Sequence, residues 1–354
     1  MILQHMATLT EVSYYTRKVI MVTVIAVVLM MITPVLVKIG TTLYRRLNPE
    51  PPPPPTVKYG KLPKINFPTQ SFETNPTFKL ETIQGSLPKM PTQGKVYVVG
   101  FNQSRLLELQ RVRDRAKGLG FGGEPFTSDE LTYTWTNAPV PESLVANIVT
   151  GAWKYDFDWR TEPASLVSTD IPASNRAIDL AKAFLGRMAP LPQDLISGSA
   201  KVIYMIASAS GETRQAQSFS DANFLRVDVF RANMDELPFV TTGGETSPIY
   251  VVMNGLKTSN KSERKVVAAG YQYSTLLGES ATYPFKSIDQ AWSELTQGKG
   301  YLTKYLPEIT IRKAYLAYFE SDEPQSFVQP VFVFAGDGNI IGYVPAVSEE
   351  LIAK

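Results

Sequence analysis

The sequence predicts an α+β protein in three parts: an N-terminal transmembrane helix, a proline-rich linker, and two antiparallel-sheet subdomains with helices packed on one face. Three observations predict it. Val19 to Val37 reads VIMVTVIAVVLMMITPVLV, 19 residues without a charge. Eleven of the 26 prolines fall between Pro49 and Pro91. Beyond residue 73, short alternating runs outnumber helical stripes and follow one another directly, which favours antiparallel pairing over parallel crossovers.

The apolar stretch comes first. As a helix it spans about 28 Å, close to the roughly 30 Å hydrocarbon core of a bilayer. Arg17 and Lys18 bound it on one side, and Lys38, Arg45 and Arg46 follow on the other. No polar face marks it as a buried core helix. It exceeds the core of a cleavable signal peptide, and no small-residue cleavage pattern follows, so it reads as a retained anchor. Pro34 sits three residues from its end and predicts a modest bend. A type IV pilin start needs an acidic residue just inside the apolar run, and Glu11 lies eight residues ahead of it. Residues 1–48 are therefore tail and anchor. The Lys and Arg count near the two ends leans slightly towards a cytoplasmic body, but long domains translocate largely regardless of charge, so the count leaves the side open.

Residues 49–72 read as the linker. Consecutive prolines favour polyproline II, and 24 such residues reach roughly 70 Å. The first α+β subdomain is expected over 73–170. Lys95–Val99 reads as a strand. Asn102–Lys117 reads as an amphipathic helix with Leu106, Leu109, Val112 and Ala116 on one face. Leu131–Thr136 alternates, placing Leu131, Tyr133 and Trp135 together. Leu144–Val149 and Trp153–Trp159 continue as strands. The second subdomain is expected over 171–354. Ser174 is placed to cap a helix with Ala177, Ile178, Ala181, Phe184, Leu185 and Met188 inward. Strands follow at Val202–Ala207, Phe224–Arg231, Ile249–Asn254 and Lys265–Tyr273. Ser287 to Gln290 reads as a capping box opening a helix that buries Ile288, Ala291, Trp292 and Leu295 and ends at Gly298. The last strands are Ile309–Phe319, Phe327–Ala335 and Ile340–Val344, with a tight turn at Asp337-Gly338. The recurrence of helix then strands suggests that the subdomains are related.

Composition excludes several functions. Hydrophobic residues are 44% and charged residues 19%, which is globular composition and excludes wholesale disorder. Residues 1–72 hold eight Lys/Arg and two Asp/Glu; the remainder holds 27 and 31. The basic excess thus belongs near the anchor, beside lipid head groups, and the acidic body argues against nucleic acid. Cysteine is absent. That removes disulfides, thiolate metal sites and cysteine nucleophiles, and it suits an exported domain. The one histidine, His5, lies ahead of the anchor. No histidine triad or histidine metal site can form in the body. No cofactor or metal is expected.

The remaining motifs are weak. Gly118-Leu-Gly120-Phe-Gly-Gly123 fits G-x-G-x-x-G but leaves a helix instead of a strand, so it reads as a helix C-cap and loop. Ser86-Leu-Pro-Lys89 and Ser262-Glu-Arg-Lys265 match S-x-x-K. The first holds a proline and the second a charged loop, where a lysine is not desolvated. Asp156 and Asp158 lie on one face of a predicted strand. They suit calcium or glycoside chemistry, or simply a solvated face opposite Tyr155, Phe157 and Trp159. Asn102 and Asn260 are formal glycosylation acceptors. Tyr315, Tyr318, Phe319, Phe327, Phe332 and Phe334 alternate into a sheet core, or else offer an aromatic face to a partner.

The run ITIRKAYLAYFESDEPQSFVQPVFVFAGDGNIIGYVPAV resembles the closing module of YycH/YycI-type, PepSY-like proteins. Leu316, Tyr318, Phe319, Pro330, Phe332 and Tyr343 stand in the places of that pattern. The resemblance implies paired α+β subdomains held outside the cell by one span, modulating a membrane sensor kinase without enzymatic activity. Separately, Tyr44-Arg-Arg-Leu-Asn-Pro with its prolines, Gly60-Lys-Leu-Pro and Phe67-Pro68 resembles uncharacterised anchored proteins of candidate-phyla bacteria. The expectation is a single-pass, extracytoplasmic interaction or regulatory module, not an enzyme, that acts on another envelope protein. The alternatives are a structural or assembly component of the envelope and a hydrolase using Asp156 and Asp158.

Overall fold

The structure is a computed structural model that describes residues 9–47, 53–70, 72, 75–100, 108–167, 170–257, 264–321 and 323–353. It separates into two compact units, 1–54 and 55–354. The first unit holds one α-helix, Leu9–Leu47, of 39 residues. At 1.5 Å per residue it is about 58 Å long, so the helix runs past the apolar stretch at both ends. Pro34 lies inside it. Thr23 and Thr33 donate their hydroxyls to Val19 O and Leu29 O at 2.8 and 2.6 Å. Those hydroxyls are therefore satisfied within the helix, as an apolar solvent requires. One helix in the described residues is long and apolar enough to cross a membrane.

The second unit is built on two sheets. One has nine strands in the order 126–127, 132–136, 142–147, 153–157, 264–271, 250–257, 224–229, 200–207, 213–215, all antiparallel. Its helices share one face. Trp153, Tyr155 and Phe157 are buried while Lys154 and Asp156 between them are exposed. The buried set meets helix Ser174–Leu185, where Phe184 packs edge-on to Tyr155 with ring centroids 5.6 Å apart. Ala177, Ala181, Phe184, Leu185 and Met188 are buried, as the stripe predicts. The expected cap differs: the helix starts at Ser174 with Ala173 in the cap position, and the Ser174 hydroxyl lies 3.0 Å from the Tyr204 hydroxyl. Leu106 and the start of the helix expected from Asn102 lie outside the described residues; helix Glu108–Gly118 buries Val112 and Ala116.

The other sheet has eight strands, mostly antiparallel, with Thr77–Leu80 and Phe239–Val240 running parallel to Glu308–Phe319. Helix Ile288–Thr296 packs on it through Trp292, 5.6 Å from the Phe334 ring. Ser287 caps Gln290 N at 3.1 Å as expected, but the Gln290 amide reaches forward to Glu294, 3.3 Å away, instead of back to the cap. The turn at Asp337-Gly338 has positive φ at Gly338 and Asn339, the conformation of a tight hairpin turn.

Two arrangements differ from the sequence expectation. Strand Gln93–Gly100 pairs with Thr275–Pro284, so the chain between them, which carries the whole nine-stranded sheet, is nested inside the other sheet. The boundary expected at 170 falls within one sheet, because Trp153–Phe157 pairs with Arg264–Tyr271. Periodicity identifies strands but not their non-adjacent partners. Thr275–Pro284 itself was hidden by Gly278, Glu279 and Ser280, which break the alternation where the pairing slips between Leu276 and Ser280.

The second difference is the linker. From Thr56 onward the chain is a strap across the eight-stranded sheet, not a spacer. Val57 N donates to Thr282 O at 3.0 Å, and Leu62 pairs in parallel with Ile352. Leu62 is fully buried and Ile65 nearly so. Gln70 then pairs with both backbone groups of Leu302, accepting from its N–H at 2.9 Å and donating to its carbonyl. Proline-rich composition signals an extended chain and is silent on whether that chain is solvated or packed.

Candidate functional site

The residues weighed for chemistry are scattered. Gly118 ends helix Glu108–Gly118, and Gly120 turns the chain with φ +99°. Phe121 N then donates back to Ala116 O at 3.1 Å, so this glycine run is a helix C-terminal turn. Ser86 and Lys89 are exposed in a loop. Ser262 lies outside the described residues, while Lys265 is paired with Glu162 at 2.9 Å. Asp156 points off the helix-free face of its strand. Asp158 does not share that face, because the strand ends at Phe157. Asp158 instead caps a short 3-10 turn and pairs with Arg160 at 2.6 Å. The hydrogen bond from Arg160 holds its carboxyl below the ordinary value. Of the C-terminal aromatics, Tyr318, Phe319, Phe332 and Phe334 are buried, with the adjacent Tyr318 and Phe319 in different core clusters on the two covered faces of the sheet. Asn102 and Asn260 lie outside the described residues.

The structure brings together a cluster that sequence reasoning did not single out. It sits where the two sheets meet. Arg231 leaves strand Phe224–Val229 of the nine-stranded sheet, and Glu320 follows strand Glu308–Phe319 of the other. Both side chains are 4% exposed, and they meet at 3.2 Å. Arg231 Nε also donates to Asp194 at 2.8 Å, and its NH1 donates to Ser274 O at 2.8 Å. The guanidinium lies over two rings, 4.5 Å from the Phe239 centroid and 4.4 Å from that of Tyr273. The Tyr273 hydroxyl donates to Asp194 at 3.0 Å, and Ser274 N donates to Glu320 at 2.9 Å. Burial pushes the Glu320 carboxyl above its ordinary value, with Arg231 pulling the other way. Burial also pushes the Tyr273 hydroxyl up. A planar cation with five donors suits this role, since it serves two carboxylates and a carbonyl at once. The arrangement ties the sheets together.

A second tie lies nearby. Asp235 and Glu236 both have positive φ, 49° and 65°, in the turn after Arg231. The Asp235 carboxylate accepts from Lys95 at 2.8 Å, Tyr97 at 2.6 Å and Tyr318 at 2.9 Å. Burial alone pushes this carboxyl up; the three donors outweigh it and hold it below its ordinary value. Strained backbone persists where surrounding contacts over-determine it, and here those contacts are the three donors.

One end of the nine-stranded sheet carries exposed apolar side chains among the described residues. Strand Thr132–Thr136 is paired on its outer side with the two-residue strand Phe126–Thr127, and beyond that pair Ser128 N donates to Thr132 O at 2.9 Å and Thr132 N to Asp129 Oδ1 at 2.7 Å. Around this edge Phe126 is 56%, Leu131 41% and Val140 43% exposed. The outermost strand of this end is Phe126–Thr127, which has no strand on its outer side among the described residues, and such an edge beside exposed apolar side chains is a template for a partner segment.

No family model matches the chain, and no curated protein matches it. Solved structures do. An uncharacterised protein from Eubacterium rectale aligns with a TM-score of 0.38 at 11% identity, covering 69% of this chain and 76% of that one. The YpeB C-terminal domain of Bacillus megaterium aligns with a TM-score of 0.29 at 13% identity, covering 70% of this chain and 95% of that one.

Proposed function

We propose that this protein is a membrane-anchored, extracytoplasmic interaction module that acts on another protein of the cell envelope. The observation that carries the interaction reading is the open apolar edge at Phe126, Leu131 and Val140, at one end of the nine-stranded sheet. The single apolar helix supports the anchor. The absence of cysteine from all 354 residues suits a body outside the reducing cytoplasm. The resemblance of the C-terminal run to sensor-modulating envelope modules supports the same side. In this reading the anchor tethers the body to the membrane, and the edge strand takes a partner's extended segment by backbone pairing.

Photocrosslinking tests it. A benzoylphenylalanine placed at Phe126 of the full chain in cells should give one adduct of defined mass, and Leu131→Asp should abolish it. A crosslinker at exposed Lys154, on a sheet face, should not give that adduct. A ladder of large adducts instead would favour a structural component of the envelope. No adduct at the edge would remove the interaction reading.

A further inference from the structure

The membrane helix and the body are joined by one stretch of chain, so a pull between them runs into the body along the strap. The strap is not held evenly along its length. From Tyr59 onward its contacts are deep. The hydroxyl of the fully buried Tyr283 accepts from Tyr59 N at 3.1 Å and donates to Gly60 O at 3.1 Å. Leu62 is fully buried, and its backbone bonds Leu351 O and Ala353 N, both at 2.8 Å. Ile65 is nearly as deep.

The three residues ahead of that seat are held at the surface. Thr56 N donates to the Thr282 hydroxyl at 2.8 Å, and Thr282 N donates back to the Thr56 hydroxyl at 3.0 Å. Val57 N donates to Thr282 O at 3.0 Å. Lys58 pairs with Glu279 at 2.8 Å, with side chains 58% and 63% exposed. Water competes for such contacts, and an exposed ion pair adds little. The apolar contact at this end is the half-buried Val57, which rests on the cluster of Leu62 and Tyr283.

The backbone works against these contacts. Val57 has φ +44°. A β-branched residue is crowded there, because its Cβ meets the carbonyl. Such strain persists only while the surroundings hold it. At Asp235 three side-chain donors do so. At Val57 the holding bonds are Val57 N to Thr282 O, and Gly60 N to Val57 O at 3.1 Å. Gly60 has φ +64° and open space where a Cβ would stand, so it can turn as a hinge between the surface-held and the buried parts.

We propose that residues 56–58 are a releasable latch: tension between anchor and body lifts them off strand Thr275–Pro284 while Leu62 keeps the rest of the strap seated. The strain at Val57 favours lifting, and the Thr282 and Glu279 contacts oppose it. Opening uncovers the N–H and carbonyl of Thr282 on the outer side of the strand. Pro284, next on that side, stays covered because Ser348 N donates to its carbonyl at 3.1 Å. The latch thus registers a pull on the anchor without unfolding the body. It is independent of the edge at Phe126 and of the side of the membrane on which the body lies.

Optical tweezers on the full chain test it. A nanodisc is fixed through its scaffold protein, and the bead is attached by a click handle at Ser210, an exposed turn residue. A reversible step of about 1 nm is expected below the force that unfolds the body, from three residues extending by roughly 3.5 Å each. The Oγ1 atoms of Thr56 and Thr282 lie 3.3 Å apart, so Thr56→Cys with Thr282→Cys brings two sulfurs within reach of a disulfide. When that pair is oxidised the step should vanish, and reductant should restore it. Thr282→Val keeps the shape and loses the hydroxyl, so its step should come at lower force. The absence of a reversible step, a step that survives the disulfide, or an unchanged force in Thr282→Val would overturn the proposal. So would a single step of about 4 nm, in which the 12 residues of the strap at roughly 3.5 Å each leave as one unit.

Discussion

Arg231→Met is expected to destabilise the protein by about 3–5 kcal/mol, the cost of leaving a buried charge without its partner. The substitution keeps most of the side-chain volume and removes only the donors. Glu320, with its side chain 4% exposed, then keeps a single backbone donor, Ser274 N at 2.9 Å. The cost should depend on pH, and its sign follows from the raised carboxyl. A carboxyl whose folded value is raised contributes stability below its ordinary value of 4.5, and that stability is lost as pH rises through the folded value. Without Arg231, burial is opposed only by Ser274, and the window widens upward. Urea unfolding of the full chain in detergent should therefore show a larger loss at pH 8 than at pH 5. Adding Glu320→Gln should recover part of the loss at pH 8 and little at pH 5. A loss independent of pH would mean that Arg231 acts through packing on Phe239 and Tyr273 alone.

Leu62→Ala is expected to cost about 2–5 kcal/mol, as for a fully buried core leucine. Leu62 packs with Val96, Ala281, Tyr283 and Val347. Its backbone also holds the C-terminus, accepting from Ala353 N at 2.8 Å and donating to Leu351 O at 2.8 Å. Removing residues 56–67 should abolish cooperative unfolding altogether. By contrast, a Gly-Ser insertion between Pro54 and Pro55, ahead of Thr56, whose N–H donates to Thr282 Oγ1 at 2.8 Å, should leave the urea midpoint unchanged. If 55–72 were a solvated spacer, the leucine change and the insertion would be equally silent.

What the sequence makes legible follows from what period and composition can encode. The anchor is plain because 19 uncharged residues have few other uses in water. The helix stripe at Ala177–Met188 and the strand Trp153–Phe157 are plain because one face of each is buried and the other wet. The strap was hidden because Leu62 and Ile65 stand as isolated apolar residues among prolines and lysines, with no period to follow. The nesting of one sheet within the other was hidden because Gln93–Gly100 and Thr275–Pro284 pair across about 175 residues. The Arg231 tie was hidden for the same reason: Asp194, Arg231, Tyr273 and Glu320 share no motif and meet only in the fold. Arg231 in LRVDVFRAN reads as an ordinary strand-end charge.

The membrane side of the body tests the central claim most directly. The chain has no cysteine, so a single one placed at Ser210, an exposed turn residue, is a unique label site. In intact cells a membrane-impermeant maleimide should label it before lysis, with a cysteine in the cytoplasmic protein of a control strain protected. Labelling only after lysis would place the body in the cytoplasm. It would contradict an extracytoplasmic module and leave the lysine and arginine count around the anchor as the better guide.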